Sequence, residues 1–123
     1  MKETQTNAVL VIDDDREMRA SLVDLLETTG WRVEALSRAD KVAERLGVFQ
    51  PDVILSDVRM PGMSGLDLLL SLDQTTAPPL VLISAHGDIP MAVRAMQSGA
   101  YSFVEKPYEP RRLLSILNHA ADP

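Results

Sequence analysis

The chain has 123 residues, of which 46% are hydrophobic and 24% charged, and its formal net charge is −6. This length and composition are ordinary for one globular domain with its own core, and the absence of cysteine excludes disulfides, thiolate nucleophiles and Cys-ligated metal centres. The negative charge argues against nucleic acid binding, and no apolar run approaches the ~20 residues of a membrane helix, so we expect a cytoplasmic domain that binds neither nucleic acid nor membrane.

In chain order, short apolar runs alternate with stretches of helical spacing. The predicted strands are 8–12, 31–35, 52–56, 80–84 and 102–105. Gly30, Gly47 and Gly99 are predicted to end the first, second and fourth helices. The apolar residues that define the five helices are Met18, Leu22, Leu25 and Leu26; Ala39, Val42, Ala43 and Leu46; Leu66, Leu69 and Leu70; Ile89, Ala92, Val93 and Met96; and Leu113, Ile116, Leu117 and Ala120.

Five repeats of strand and helix indicate an α/β fold. Strands that are apolar throughout and separated by helices are typical of a parallel sheet covered on both faces. Right-handed crossovers leave few topologies, and among them we choose the doubly wound order 2-1-3-4-5 because it is the order of known flavodoxin-like proteins. We therefore predict a five-stranded parallel sheet of this order with five helices. In such sheets the functional crevice lies beyond the carboxyl ends of the strands.

Polar side chains stand at those strand ends. Asp13 and Asp14 follow the first strand, Asp57 the third and Lys106 the fifth, and Ser84 ends the fourth. Three neighbouring carboxylates would repel one another unless a cation lies among them, and an all-oxygen ligand set suits Mg²⁺ or Mn²⁺. A carboxylate beside such an ion, near an ammonium and a hydroxyl, can act as a nucleophile toward phosphorus. Asp57 stands alone at its strand end and is the best candidate.

Each of these residues also has a plainer interpretation. A carboxylate before a helix is commonly an N-cap, the role that we assign to Asp15 and leave open for Asp14. Ser84 and Lys106 are uninformative in isolation. His86 is two residues after Ser84, and although a loop histidine is usually a surface residue, we give it a part in tuning hydrolysis of a phosphoryl group. The occurrence of the acidic residues and Lys106 at the ends of strands of one sheet favours a functional site over these plainer interpretations.

Four motifs occur in order along the chain: "VIDDD", "DVILSDVRMPGMSG", "LISAHGD" and "FVEKP". Together they resemble the receiver domain of bacterial two-component response regulators, from residue 9 to residue 121. The segment "SAHGDIPMAVRAMQSGAYSFVEKPYEP" is similar to receivers of the sigma-54-dependent activators of the NtrC/DctD type, particularly the C4-dicarboxylate transport regulators. Receivers of the FixJ type share much of this segment, so a FixJ-like regulator is the alternative.

The resemblance implies a role for each residue of the predicted site. Asp57 would accept the phosphoryl group and, with Asp13, Asp14 and the backbone carbonyl of Arg59, would hold Mg²⁺ (or Mn²⁺). Lys106 would pair with the phosphate.

It also implies how the signal would leave the site. The peptide bond from Lys106 to Pro107 would be cis, Ser84 would move toward the phosphate, and Phe103 would swing inward. Phe103 stands where some receivers have tyrosine, so only the packing part of this switch carries over.

The resemblance further implies partners. A sensor histidine kinase would donate the phosphoryl group, and an output domain in cis would control transcription. Residues 1–123 would be a single receiver domain, the N-terminal part of a longer transcriptional regulator. A homodimer would form through the helix 4–strand 5–helix 5 face, where Met91 and Tyr101 are expected to lie outside the core.

Two rival functions have testable sequence requirements. A phosphohydrolase of the haloacid-dehalogenase kind needs a second acid two residues after its nucleophile, where this chain has Arg59. It also needs a cap domain over its substrate, which we do not expect within these 123 residues. A nucleotide site of the P-loop or Rossmann kind needs a glycine-rich motif after the first strand, which is also absent. A receiver-like interaction module that is never phosphorylated remains an alternative. The domain is expected to catalyse its own phosphorylation and dephosphorylation, without turnover of a separate substrate, and so not to be an enzyme in the ordinary sense.

Overall fold

The computed structural model describes residues 7–122, in which five strands alternate with five α-helices. The strands are β1 (Ala8–Ile12), β2 (Arg32–Leu36), β3 (Val53–Asp57), β4 (Leu80–Ser84) and β5 (Ser102–Glu105). The α-helices are α1 (Arg16–Thr28), α2 (Val42–Phe49), α3 (Gly65–Ser71), α4 (Ile89–Gln97) and α5 (Pro110–Ala121). Short 3₁₀ turns, Ala39–Lys41 and His86–Asp88, lead into α2 and α4.

All strand pairs are parallel, and their order is β2-β1-β3-β4-β5, as predicted. The two strands that carry the acidic residues, β1 and β3, are neighbours, with Val11 opposite Leu55. The next pair, β3 and β4, sets Asp57 opposite Ile83. The register therefore brings the carboxyl ends of the three central strands to one edge of the sheet.

Alternation along the strands divides the core into two layers. Odd-numbered residues of β1, such as Val9 and Val11, pack with Leu22 and Leu26 of α1 and with Leu113 of α5. The even-numbered residues face the opposite layer. The main members of that layer are Leu10, Ile12, Ile54, Leu80 and Leu82 from the sheet, Val42 from α2, Leu66, Leu68 and Leu69 from α3, and Ala95 from α4. Both faces of the sheet are thus covered, which is why its strands are apolar throughout.

Several predicted boundaries shift. The second and third strands begin and end one residue later than predicted. The second helix does not end at Gly47 but continues to Phe49, and it is Gln50 that takes the left-handed conformation after it, with φ 56°. A helix-interior glycine lowers stability without stopping the helix when the flanking turns are packed. Leu70, predicted as a core residue of the third helix, is 61% exposed, because Leu68 and Leu69 already fill the side that faces the sheet.

The predicted core face of the fourth helix is wrong in part. Val93 and Met96 are 44% and 38% exposed, whereas Ala92 and Ala95 are fully buried. The small alanine side chains allow the helix to pack closely on the layer below it, and the larger ones are left toward solvent. Met91, expected outside the core, packs partly buried against it.

The fifth helix follows the prediction more closely. Leu113, Leu117 and Ala120 are buried, and Ile116 is half-buried against the same layer. Within residues 7–122, no helix combines the length and the apolarity that crossing a membrane would require.

Candidate functional site

Three carboxylates meet at the carboxyl edge of the sheet. Asp13 and Asp14 follow β1 and Asp57 ends β3, and one oxygen from each lies within 4.8 Å of the others. The sequence prediction that these residues would be brought together is confirmed by this geometry.

Asp13 is the residue of the cluster that most needs a counter-charge. It is fully buried, and its Oδ1 accepts a hydrogen bond of 2.9 Å from the Asp15 N–H, while its Oδ2 has no hydrogen-bond partner within residues 7–122. Burial, together with the nearby Asp57, raises the pKa of Asp13 from 3.8 to about 6. The Arg19 side chain donates to the Asp13 carbonyl oxygen at 2.8 Å and fixes the backbone here. A buried, unpartnered oxygen beside two further carboxylates fits a small divalent cation with oxygen ligands.

Asp57 is buried and faces a cation of the chain itself. The Lys106 Nζ lies 3.5 Å from the Asp57 Oδ2, which places the predicted lysine beside the predicted acceptor. Burial raises the pKa of Asp57, and the Lys106 charge opposes this effect. The Lys106–Pro107 peptide bond is cis, as the resemblance implied.

The two predicted switch residues lie on neighbouring strands, and within residues 7–122 neither forms a side-chain hydrogen bond to the carboxylates. Ser84 is buried, and its hydroxyl donates to the Ala85 carbonyl oxygen at 3.0 Å. Phe103 lies opposite Leu82 in the sheet and is partly buried against the layer that contains α3 and α4.

The remaining predicted residues lie at the margins. Asp15 is the N-cap of α1, with its carboxylate accepting from the Glu17 and Met18 N–H groups, as predicted. The His86 side chain is 94% exposed, and its Nδ1 lies 2.9 Å from the Glu105 Oε2. It therefore forms a surface pair, and its part in tuning hydrolysis of a phosphoryl group stays a prediction.

The loop after Asp57 is shaped by a close backbone approach. The Gly65 N–H donates to the Val58 carbonyl oxygen at 2.7 Å, and a Cβ on Gly65 would lie 2.6 Å from the Asp57 carbonyl oxygen. Ser64 and Asp67 form a reciprocal capping box at the start of α3. The glycine and the cap together hold α3 against the end of β3, at the close of the loop that follows Asp57.

One ion pair of this region was missed by the sequence prediction. The Arg59 Nε and a terminal guanidinium nitrogen lie 2.9 and 2.8 Å from the Asp88 Oδ1. Asp88 is buried and precedes α4, whereas the Arg59 side chain is 70% exposed. An acidic residue in the motif "HGDIP" could have suggested a helix cap, but no sequence signal relates it to a position 29 residues earlier.

The fold agrees with that of known proteins. The sequence model of the response regulator receiver domain matches residues 9–118. The chain belongs to the response-regulator receiver family.

The receiver is 40% identical over 118 residues to the C4-dicarboxylate transport transcriptional regulatory protein DctD of Rhizobium meliloti, and it is 39% identical to the transcriptional regulatory protein FixJ of Bradyrhizobium diazoefficiens. These alignments cover 94% and 95% of this chain but 25% and 58% of the two relatives. A solved structure titled FixJ-N matches with a TM-score of 0.88 and 35% identity, covering 96% of this chain and 95% of the other. The receiver thus spans only part of the length of its curated relatives.

Proposed function

We propose that this receiver is a phosphorylation-activated switch that accepts a phosphoryl group on Asp57 from the phosphohistidine of a sensor histidine kinase. The observation that carries the proposal is the junction of three carboxylates with Lys106 at one edge of the sheet. Asp13, Asp14, Asp57 and the Arg59 carbonyl would hold Mg²⁺ (or Mn²⁺). When bound, the ion would neutralise charge on the transferring phosphoryl oxygens.

In the transfer, a carboxylate oxygen of Asp57 forms the new bond to phosphorus while the phosphorus–nitrogen bond of the donor breaks, and the imidazole leaves. The chemistry needs little beyond position and charge. The Lys106 ammonium, already beside the Asp57 Oδ2, pairs with the transferred group. In the structure the Ser84 hydroxyl donates a hydrogen bond to the Ala85 carbonyl oxygen. After the transfer it turns and donates to a phosphoryl oxygen instead. Hydrolysis of the aspartyl phosphate resets the domain, which turns over no separate substrate.

The movement of Ser84 provides a route for the signal. Ser84 and Phe103 lie on adjacent strands, and Phe103 packs against the layer of α4. When Ser84 moves toward the site, Phe103 packs into the space behind it. Phosphorylation in this way shifts an existing equilibrium between two arrangements of the α4–β5–α5 face.

We further propose that this face forms a homodimer after phosphorylation. Val93 and Met96 of α4 and Tyr101 before β5 are all more than a third exposed, although they are large apolar residues. Size-exclusion chromatography with light scattering, with and without beryllofluoride, tests this proposal. An unchanged mass on addition of beryllofluoride, in protein that demonstrably binds it, would contradict the dimer.

The regulated output is an inference from the relatives. DctD and FixJ are transcriptional regulators in which an equivalent region is one part of a longer chain. We propose that residues 1–123 are likewise one receiver domain that acts on an output domain in cis, in the cytoplasm where transcription takes place. The similar identities to DctD and FixJ leave the FixJ-like alternative open.

Intact-mass measurement after incubation with acetyl phosphate tests the central proposal. We expect one phosphoryl adduct on the wild type in Mg²⁺, none in EDTA and none on Asp57→Asn. Asp24→Asn, which removes an exposed carboxylate on α1, is the matched control and should give the wild-type adduct. If neither acetyl phosphate nor a phosphohistidine donor yields an adduct, the domain is an unphosphorylated interaction module.

A further inference from the structure

The Arg59–Asp88 ion pair joins the loop after β3 to the segment between β4 and α4. Arg59 is two residues after Asp57, and Asp88 is four residues after Ser84 and directly before α4. The two residues of the pair differ in exposure, because Asp88 is buried while the Arg59 side chain is mostly in solvent. A buried carboxylate that loses its partner has to find another, since an unpaired buried charge is costly.

The place of Asp88 at the start of α4 offers its carboxylate a second partner. It occupies the N-cap of α4, where aspartate is among the preferred residues, yet its side chain makes no capping hydrogen bond. Pro90 at the second helical position has no N–H, so Met91 at the third position carries the donor that a capping side chain would use. Both guanidinium contacts instead hold the carboxylate through its Oδ1.

We propose that the Asp88 carboxylate alternates between two partners, the Arg59 guanidinium in the resting domain and the Met91 N–H of α4 in the phosphorylated one. The inference rests on the proposed phosphorylation of Asp57. A phosphoryl group there brings two negative charges two residues from Arg59, and a guanidinium binds phosphate oxygens through two parallel hydrogen bonds. Arg59 then turns to the phosphoryl group and Asp88 caps α4.

The exchange ties the start of α4 to the state of the acceptor. The helix carries Val93 and Met96, two of the apolar residues of the proposed dimer face. A new cap at its N-terminus fixes the first turn in a second arrangement. The ion pair stabilises only the resting state, so it lowers the affinity of the domain for a phosphoryl mimic. By linkage, binding of the mimic weakens the ion pair by the same factor.

Two substitutions of Asp88 separate the two partners. Asp88→Asn removes the charge that Arg59 holds but keeps a good capping side chain, whereas Asp88→Ala removes both. In Mg²⁺, we expect Asp88→Asn to bind beryllofluoride about fivefold more tightly than the wild type. We expect Asp88→Ala to bind it as tightly as Asp88→Asn, because both lack the ion pair and a cap that is present in both states, or in neither, changes no affinity.

The Met91 amide reports the cap directly in ¹H–¹⁵N NMR. We expect the Met91 amide proton signal of the wild type to move downfield on addition of beryllofluoride. In Asp88→Asn we expect it at the downfield position even without beryllofluoride. Arg45→Gln, which breaks the Glu34–Arg45 pair between α2 and the edge strand β2, is the control and should match the wild type in both measurements.

The outcomes distinguish this inference from the proposed function. If the wild type binds beryllofluoride but the Met91 amide does not move, or if Asp88→Asn binds it no more tightly, the exchange is refuted and the phosphorylation switch stands. If the wild type does not bind beryllofluoride at all, both are refuted.

Discussion

Replacement of the buried Asp13 by asparagine is expected to stabilise the metal-free domain at neutral pH. The carboxylate is fully buried with one oxygen unpartnered, and its pKa is raised from 3.8 to about 6. At about 1.4 kcal/mol for each pKa unit, this shift costs the folded state about 3 kcal/mol once Asp13 is ionised. Asparagine removes that charge and can still accept the hydrogen bond from the Asp15 N–H.

The sign of the pH dependence follows from the raised pKa. The folded state holds the Asp13 proton more tightly than the unfolded state, so the cost is fully present above pH 6 and disappears as the pH falls toward 3.8. The advantage of Asp13→Asn over the wild type should therefore be about 3 kcal/mol at pH 7.5 in EDTA and close to zero near pH 3.8. Urea denaturation followed by circular dichroism at several pH values measures it.

Asp14→Asn is the matched control, because it removes the same charge from the cluster at an exposed position and should change stability much less. Added Mg²⁺ should reduce the difference in free energy of unfolding between the wild type and Asp13→Asn, because the ion offsets the charge repulsion that the substitution removes. An Asp13→Asn domain that is less stable than the wild type at pH 7.5 in EDTA would refute the reasoning. So would an advantage that does not shrink with falling pH.

Three further predictions concern neighbouring residues. Gly65→Ala should lower the free energy of unfolding by at least about 1 kcal/mol in urea titration, because its Cβ would lie 2.6 Å from the Asp57 carbonyl oxygen. Gly47→Ala has open space around it in α2 and should raise the free energy of unfolding by up to about 1 kcal/mol. Ser64→Ala should cost about 1 kcal/mol in the same assay through loss of the α3 capping box, and an unchanged midpoint would argue against that cap. Lys106→Gln should slow the formation of the acetyl phosphate adduct at least tenfold, measured by intact mass over time, and a wild-type rate would remove Lys106 from the reaction.

The parallel sheet could be predicted because it follows from short-range patterns, whereas the order of its strands was taken from known flavodoxin-like proteins. Apolar strands between helices determine a parallel sheet, and parallel strands bring their carboxyl ends to one edge, so Asp13, Asp57 and Lys106 meet there without any knowledge of packing. The cap at Asp15 is local and was predictable for the same reason.

The errors arise where tertiary packing chooses among equivalent local patterns. Val93, Met96 and Ala95 all fit a helical stripe, and only the closeness of α4 to the neighbouring layer selects the small side chain for the core. The Arg59–Asp88 pair joins positions 29 residues apart in two loops, and no periodicity relates them. Gly47 resembles a helix end in sequence, but the turn occurs three residues later at Gln50.

The division of the core by the sheet has a consequence for how this chain can diverge. In β4, Val81 and Ile83 pack toward α1 and α5, while Leu80 and Leu82 pack toward α3 and α4. Substitutions that do not share neighbours usually combine additively in free energy. One helical surface can therefore accumulate changes and acquire a new recognition partner while the packing beneath the opposite surface is retained. In a fold divided in this way, the surface that binds one partner can change in sequence while the surface that binds another partner is kept.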